Sequence, residues 1–378
     1  MKYRLLSPGP TPVPERVLLA MAQPMLHHRT PAFEKVFEEC RVGLQWLYQT
    51  KNDVLMLASS GTGAFESAIA SFLSPTDTVV AVTNGKFGER WAKMAKAYGC
   101  NVVEVKTEWG KTTPVADIKA ALDKNPGAKA LFIVASESST GVRQPVEEAA
   151  KLVKGKDTLL FVDAITALGV WSIPTDELGI DVLVTGSQKA LMLPPGLAFL
   201  SVSDKAWKAM ETAKNPRFYF DLRRERDNQK KNQTAFTPAV SLVIGLAESL
   251  KMMKEEGLQN VFARHERMAR ATRAAVQALG MGVFAETPAQ SITSVAVPSG
   301  CDGEAIYKAL RDKYNMTIAG GQDHVKGKIF RIAHLGYYDD LDILTVTAAV
   351  EMACADLKYP VELGKGVAAA QRVLLERP

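Results

Sequence analysis

Cysteine is scarce in this chain. The four that occur, Cys40, Cys100, Cys301 and Cys354, lie far apart, and none stands in a Cys-x-x-Cys pair. Neither a zinc site nor a disulfide framework is indicated, and a reducing compartment fits. Long apolar runs are missing too: no stretch reaches 18 residues, and the opening MKYRLLSPGPTPVPERV has no apolar segment of signal-peptide length before its prolines. Membrane insertion and secretion are therefore disfavoured, and a cytoplasmic protein is expected. Nor does charge of one sign dominate. Lys and Arg total 46 against 41 Asp and Glu, a formal +5 over 378 residues, which gives nucleic-acid binding little support. The densest basic stretch, Arg223 to Lys231, is interrupted by Glu225 and Asp227 and lacks aromatics to stack bases. It reads as a solvated face or loop.

What remains is a globular composition, 47% hydrophobic and 23% charged, long enough for two or three domains at about 100 to 200 residues each. Pro8, Pro10, Pro12 and Pro14 fall in the first seventeen residues; they forbid a helix there and favour an extended arm lying on the surface of something else. A helical pattern follows over Pro31 to Tyr48. From Asp53 to Ser203, short β-rich runs (DVLMLAS, TVVAVTNG, VVEVKT, ALFIVASES) alternate with amphipathic stretches at Ala64–Leu73, Phe87–Tyr98, Val115–Leu122 and Val146–Val153. TLLFVDA, DVLVTGS and LAFLSVS complete the series. Near-continuous apolar strands joined by helices predict an α/β fold with a mostly parallel sheet covered on both faces. The periodic region Pro238–Leu279 reads as one helix or a pair, with a domain boundary inside it, and the rest as a smaller α+β unit.

In such sheets ligands gather beyond the carboxyl ends of the strands, and four ends carry polar residues. Ser59-Ser60-Gly61-Thr62-Gly63 leads into a helix and suits a phosphate, or is an ordinary glycine turn. It lacks the spacing of a Walker loop, and Glu66 stands where a dinucleotide fingerprint needs its third glycine. Asp163 closes the apolar TLLFVDA, where a carboxylate needs a cation or donor partner, or caps the next turn. Lys189 follows DVLVTG between apolar residues, as a desolvated amine fit for imine chemistry or as a surface lysine. Glu137-Ser138-Ser139-Thr140-Gly141 is a turn or a ring of donors. The order of glycine loop, donor cluster, strand-end aspartate and strand-end lysine 26 residues later narrows the reading. A helix terminus for a phosphate, a carboxylate for a pyridinium and a lysine for an imine are the needs of pyridoxal phosphate.

At this point the chain resembles the class V aminotransferases, most closely the alanine-glyoxylate and serine-pyruvate group. LLSPGPTPVP, HHRTPAF, SSGTGAFESAI, TNGKFGERW, ESSTGV, VDAITALG, TGSQKALMLPPGLAF, TPAVSLVIGL and FRIAHLG carry the resemblance over nearly the whole length. It implies the type I pyridoxal-phosphate fold: an arm over 1–17, a large cofactor-binding domain over 18–255 and a small C-terminal α+β domain over 256–378. By the same resemblance Lys189 is the imine lysine, Asp163 the partner of the pyridine nitrogen, and Ser138 and Gln188 the groups around the ring hydroxyl. Ser60, Gly61 and Thr62 match the phosphate loop, and Phe87 the aromatic that stacks on the cofactor, where relatives often carry tryptophan. Thr237, with Thr234 as the other choice of register, matches a threonine given to the phosphate of the other subunit. Arg331 matches the arginine for the substrate carboxylate, which a guanidinium grips at two points. His334 and the pair His27-His28 read as pocket or packing residues, with no metal implied.

The implied activity is ping-pong transamination between a small amino acid, alanine or serine, and a 2-oxo acid, glyoxylate or pyruvate, in a homodimer with shared sites. Other chemistry on the same fold stays open, namely a lyase or a cysteine desulfurase, although neither Cys301 nor Cys354 sits in a recognisable reactive loop. A non-catalytic subunit of a larger complex is the third alternative.

Overall fold

The computed structural model describes residues 2–376 and centres on a seven-stranded sheet. Its strands are β1 (Asp53–Leu57), β2 (Thr78–Thr83), β3 (Asn101–Lys106), β4 (Ala130–Val134), β5 (Leu159–Asp163), β6 (Val182–Gly186) and β7 (Ala198–Val202). They lie in the order β1-β7-β6-β5-β4-β2-β3, with β7 antiparallel to both neighbours and the other pairings parallel. Every residue of β4, β5, β6 and β7 is buried, as expected of strands covered on both faces. Alternate residues serve opposite cores: Leu131, Ile133, Leu160 and Val162 one, Phe132, Phe161 and Val184 the other. On that second face Phe65 stacks on Trp91 at 3.9 Å and Phe132 on Phe161 at 5.1 Å. The edge strand β3 is less buried and carries Glu104 and Lys106, charges that blunt a free edge.

The crossover helices fall where the periodicity places them, with one instructive shift. The helix expected from Ala64 begins at Gly61, because its first turn is made of small residues that carry no apolar signal. The long periodic region is two helices, Val240–Glu256 and Leu258–Ala278, parted by Gly257 at φ 84°, a left-handed setting that favours glycine. Beyond them a second, antiparallel sheet holds β8 (Gly282–Val283), β9 (Ile292–Ala296), β10 (Ala319–Gly320) and β11 (Ile329–Ala333) in the order β8-β9-β11-β10. The helices Gly303–Tyr314 and Asp340–Asp356 accompany this sheet, as an α+β unit requires. Lys365–Leu375, which packs on Leu258–Ala278, was not anticipated.

Two expectations are corrected. The arm is built into its own chain, and it does not stay extended to residue 17. Arg4–Leu5 pair in parallel with Met316–Thr317, Leu6 is bonded on one side to Thr317 and on the other to Ala333, and Thr11 N–H donates to the Gln188 carbonyl at 3.2 Å. A helix, Glu15–Met21, starts directly after Pro14, since proline stops a helix behind it and not ahead of it. The basic stretch is not merely solvated either. Leu222–Gln229 is a helix capped by Asp221, and Leu222, Glu225 and Gln229 bury one face of it. The Gln229 amide accepts from Met56 N–H and donates to Met56 O, at 3.0 and 2.7 Å. Polar side chains on a buried stripe hide it from a reading keyed to apolar periodicity.

Candidate active site

The carboxyl ends of β5 and β6 open on a cavity lined by Ser60, Gly61, Thr62, Phe87, Ser138, Asp163, Gln188 and Lys189, eight of the ten expected residues. Arg331, on β11, stands beside them, its Nη1 donating to the Ser138 carbonyl at 2.6 Å. Thr237 is not brought there. It is exposed and lines a separate hollow with Thr234, Tyr219 and Phe236. Thr234 is buried, and its hydroxyl donates to the Phe236 carbonyl at 2.6 Å.

Asp163 is buried at the end of an apolar strand, and desolvation pushes its pKa up to about 7. Two donors oppose that shift, Ile165 N–H to Oδ1 at 2.8 Å and the Trp91 indole to Oδ2 at 2.7 Å. Glu137 nearby adds to the rise and Lys189 counters it. A carboxylate held this way awaits a cation. Lys189 is its complement: burial draws the ammonium down to about 8, against the attraction of Asp163 and with Arg331 and Arg90 adding repulsion. Its Nζ donates to the Pro8 carbonyl at 2.7 Å, and Thr11 Oγ1 donates to its backbone carbonyl at 2.9 Å. The arm thus closes one side of the site, and a Cβ on Gly9 would run into the lysine side chain.

Burial also lowers Arg331, to about 10, so the guanidinium stays charged at neutral pH, with Glu137 supporting the charge. Its Nε and Nη2 donate to the Gly320 carbonyl at 3.1 and 2.9 Å. With the bond to Ser138, three of its five donors are committed; one N–H on each terminal nitrogen is left for a carboxylate. His334 is a packing residue. It bonds Thr293 Oγ1 at 3.0 Å and Gln290 O at 2.8 Å, and burial drops its pKa to about 3. His27 and His28 stack on each other at 4.8 Å, and no group of three metal-ligating side chains occurs among the described residues.

Several groups at the site were missed. Ser136, Ile165, Thr166 and Arg90 share the cavity; Arg90 lies over the Phe87 ring at 4.7 Å and donates to Thr62 Oγ1 at 3.3 Å. Trp91 was seen only as part of a motif. Helical spacing was the available signal, because Phe87, Arg90 and Trp91 lie within one turn of each other.

The cavity fits pyridoxal phosphate by its own chemistry. The helix Gly61–Phe72 makes its first internal bond from Ala64 N–H to Ser60 O, leaving the amides of Gly61, Thr62 and Gly63 without a partner inside the helix. That is a dianion cradle. Gln188 Oε1 is buried without a hydrogen bond, an acceptor awaiting a donor. A buried carboxylate, a lysine whose pKa burial has lowered and an aromatic face complete the set.

A class V aminotransferase family model matches residues 3–336. The soluble hydrogenase small subunit of Synechococcus sp. is 46% identical, covering 99% of this chain and 98% of its own. An L-aspartate–glyoxylate aminotransferase of Paracoccus denitrificans is 39% identical over 96% of this chain and 94% of its own. A serine–glyoxylate aminotransferase of Methylorubrum extorquens is 37% identical over 100% and 97%. The solved structure of a ureidoglycine–glyoxylate aminotransferase from Bacillus subtilis superposes with a TM-score of 0.95 at 29% identity, covering 100% of this chain and 99% of the other.

Proposed function

Since the chain belongs to the class V aminotransferase family and is a pyridoxal-phosphate-dependent enzyme of that fold, we propose that it moves an amino group from alanine or serine to glyoxylate or pyruvate by a ping-pong route. The observation that carries this reading is one cavity holding a half-buried Lys189 and a buried Asp163 between a bare helix N-terminus and the two remaining donors of Arg331. Bound there, pyridoxal phosphate supplies an electron sink for the pair released when the Cα–H bond breaks.

The chain's own residues do the rest. Lys189 would hold the cofactor, and its free amine would carry the α-proton; an amine drawn to about 8 is suited to give and take it near neutrality. Asp163, backed by Trp91 and Ile165, holds a proton on the ring nitrogen opposite. Gly61 and Thr62, through their amides, and Ser60 grip the phosphate, Ser138 and Gln188 meet the ring hydroxyl, and Phe87 stacks on the ring. Arg331 takes the carboxylate that amino acid and oxo acid share, and the Pro8 carbonyl of the arm stands beside Lys189. Thr237, outside this cavity, serves the phosphate of a second subunit in a cytoplasmic homodimer.

A panel of donors against glyoxylate and pyruvate, with purified protein, tests the reading. Alanine or serine as preferred donor and parallel lines in double-reciprocal plots are expected. A preference for aspartate, the donor named for the Paracoccus relative, would overturn the donor assignment. Desulfurase chemistry is not favoured: the Cys354 thiol is buried in the helix Asp340–Asp356 and pushed up to about 12 by desolvation, and Cys301 lies outside the cavity. A second reading, a subunit of a larger assembly, rests on the soluble hydrogenase subunits at 46% identity. Transamination by the isolated chain would count against it, and an inactive chain that purifies only within a complex would establish it.

A further inference from the structure

Glu137 is the most enclosed acid near the site, fully buried and in no ion pair among the described residues. Its oxygens divide between two strings of donors. Oε2 accepts from Phe87 N–H and Gly88 N–H, both at 3.0 Å. Oε1 accepts from Ser139 N–H at 3.1 Å and Ser139 Oγ at 2.6 Å. The same Ser139 Oγ accepts from Lys86 N–H at 3.0 Å. Three successive amides at the start of the helix Lys86–Ala97 are therefore satisfied from a turn 50 residues away.

That helix has no cap of its own: Gly85 stands at the cap position and no side chain there bonds the first turn. The glycine is required by the arrangement, since a Cβ on it would run into the Glu137 carboxyl and Ser139 Oγ. An anion at a helix N-terminus is stabilised by the free amides and the helix dipole together. Desolvation alone raises the carboxyl above its usual range, and these bonds oppose that rise. The capped turn is the one that carries Phe87 and, one turn on, Arg90, both on the cavity wall.

We propose that Glu137 is a positioning residue for cofactor stacking, capping the Lys86–Ala97 helix from across the site and so fixing the Phe87 ring against the cavity. This rests on the reading that the cavity holds pyridoxal phosphate. The mechanism gives Glu137 no contact with substrate or cofactor. It acts through the helix.

The test is Glu137→Gln, which keeps the shape but turns one acceptor into a donor facing donors. The expected result is an unchanged far-UV circular dichroism spectrum, a pyridoxal phosphate dissociation constant weakened about 10-fold, and a reduced visible circular dichroism band of the bound cofactor. In a Phe87→Ala background the same substitution is expected to leave the dissociation constant unmoved, because the ring through which it acts is gone. Equal weakening in both backgrounds, or an unaltered band and constant in Glu137→Gln, would overturn the proposal. Should Glu137→Gln not fold, Ser139→Ala decides, with a smaller shift of the same band expected and no shift overturning it. A wild-type protein that binds no pyridoxal phosphate would instead defeat the functional reading.

Discussion

The corner where β5 and β6 end and the face formed by Met25–His28 with Thr234–Leu242 are built on different principles. At the corner, Asp163, Arg331 and Glu137 are buried and Lys189 is half-buried, and each is met by partners from the same chain. On the face, Met25 is 69% exposed, Phe218, which meets Phe236 at 6.0 Å, is 73% exposed, and Thr237 is open to solvent. Burying charge in a preset cage makes each interaction stronger than it would be in water. The corner thus carries its electrostatics without help, whereas the face presents apolar surface and a hydroxyl to whatever meets it. On the proposed function, turnover belongs to the corner and part of cofactor retention to the face.

Substitutions at the corner should then be the most damaging. Lys189→Ala is expected to abolish turnover and the visible band that borohydride removes, and tryptic mapping of the reduced wild-type enzyme should find the pyridoxyl group on Lys189. A label on another lysine would move the centre elsewhere. Asp163→Asn keeps the volume and the contact with Ile165 but cannot balance a ring cation. A fall in kcat of about 10²-fold or more is expected, the scale of losing a preorganised electrostatic group. Turnover equal to wild type would show that Asp163 only closes its strand.

The same contrast explains what the sequence could tell. Strand ends are set by apolar runs and the turns that stop them, so Asp163 and Lys189 were legible once β5 and β6 were. The phosphate loop was legible as small residues ahead of a helix. Arg331 lies on a strand of the second sheet, and only the family resemblance connected it to the site. Glu137 was visible as part of a polar cluster, but its partners, Phe87 and Gly88, come from a helix 50 residues away. The contacts of the arm were not legible, because proline pattern reports extension and not what the extended chain lies against. Its partners are the Gln188 and Lys189 backbone and the Met316–Thr317 strand.

A milder loss is expected where the corner reaches the second sheet. Arg331→Lys keeps the charge and gives up the two-point grip, so a charge-assisted hydrogen bond worth about 1.5 to 3 kcal/mol is lost. In kcat/KM that is about a 10- to 150-fold decrease for donor and acceptor alike. If amines without a carboxylate suffered as severely as alanine, the arginine would be holding Ser138 and Gly320 in place and not the substrate.

The smallest effect belongs to the face, and it sharpens the comparison most. On the proposed function, Thr237→Ala removes one hydroxyl from a phosphate that the Gly61–Phe72 helix terminus also holds, so only a net hydrogen-bond contribution of about 0.5 to 1.5 kcal/mol is at stake. The dissociation constant for pyridoxal phosphate should weaken about 2- to 12-fold, with kcat at saturating cofactor nearly unchanged. Mixing with Lys189→Ala subunits then tells whose phosphate the hydroxyl serves. In a hybrid dimer the Thr237→Ala subunit supplies the only Lys189, and its partner supplies the only Thr237. If the hydroxyl crosses between subunits, that one site is whole and binds the cofactor with wild-type affinity. If it acts within its own chain, the site that keeps Lys189 still lacks the hydroxyl, affinity stays weakened, and the face has no share in the chemistry of the corner.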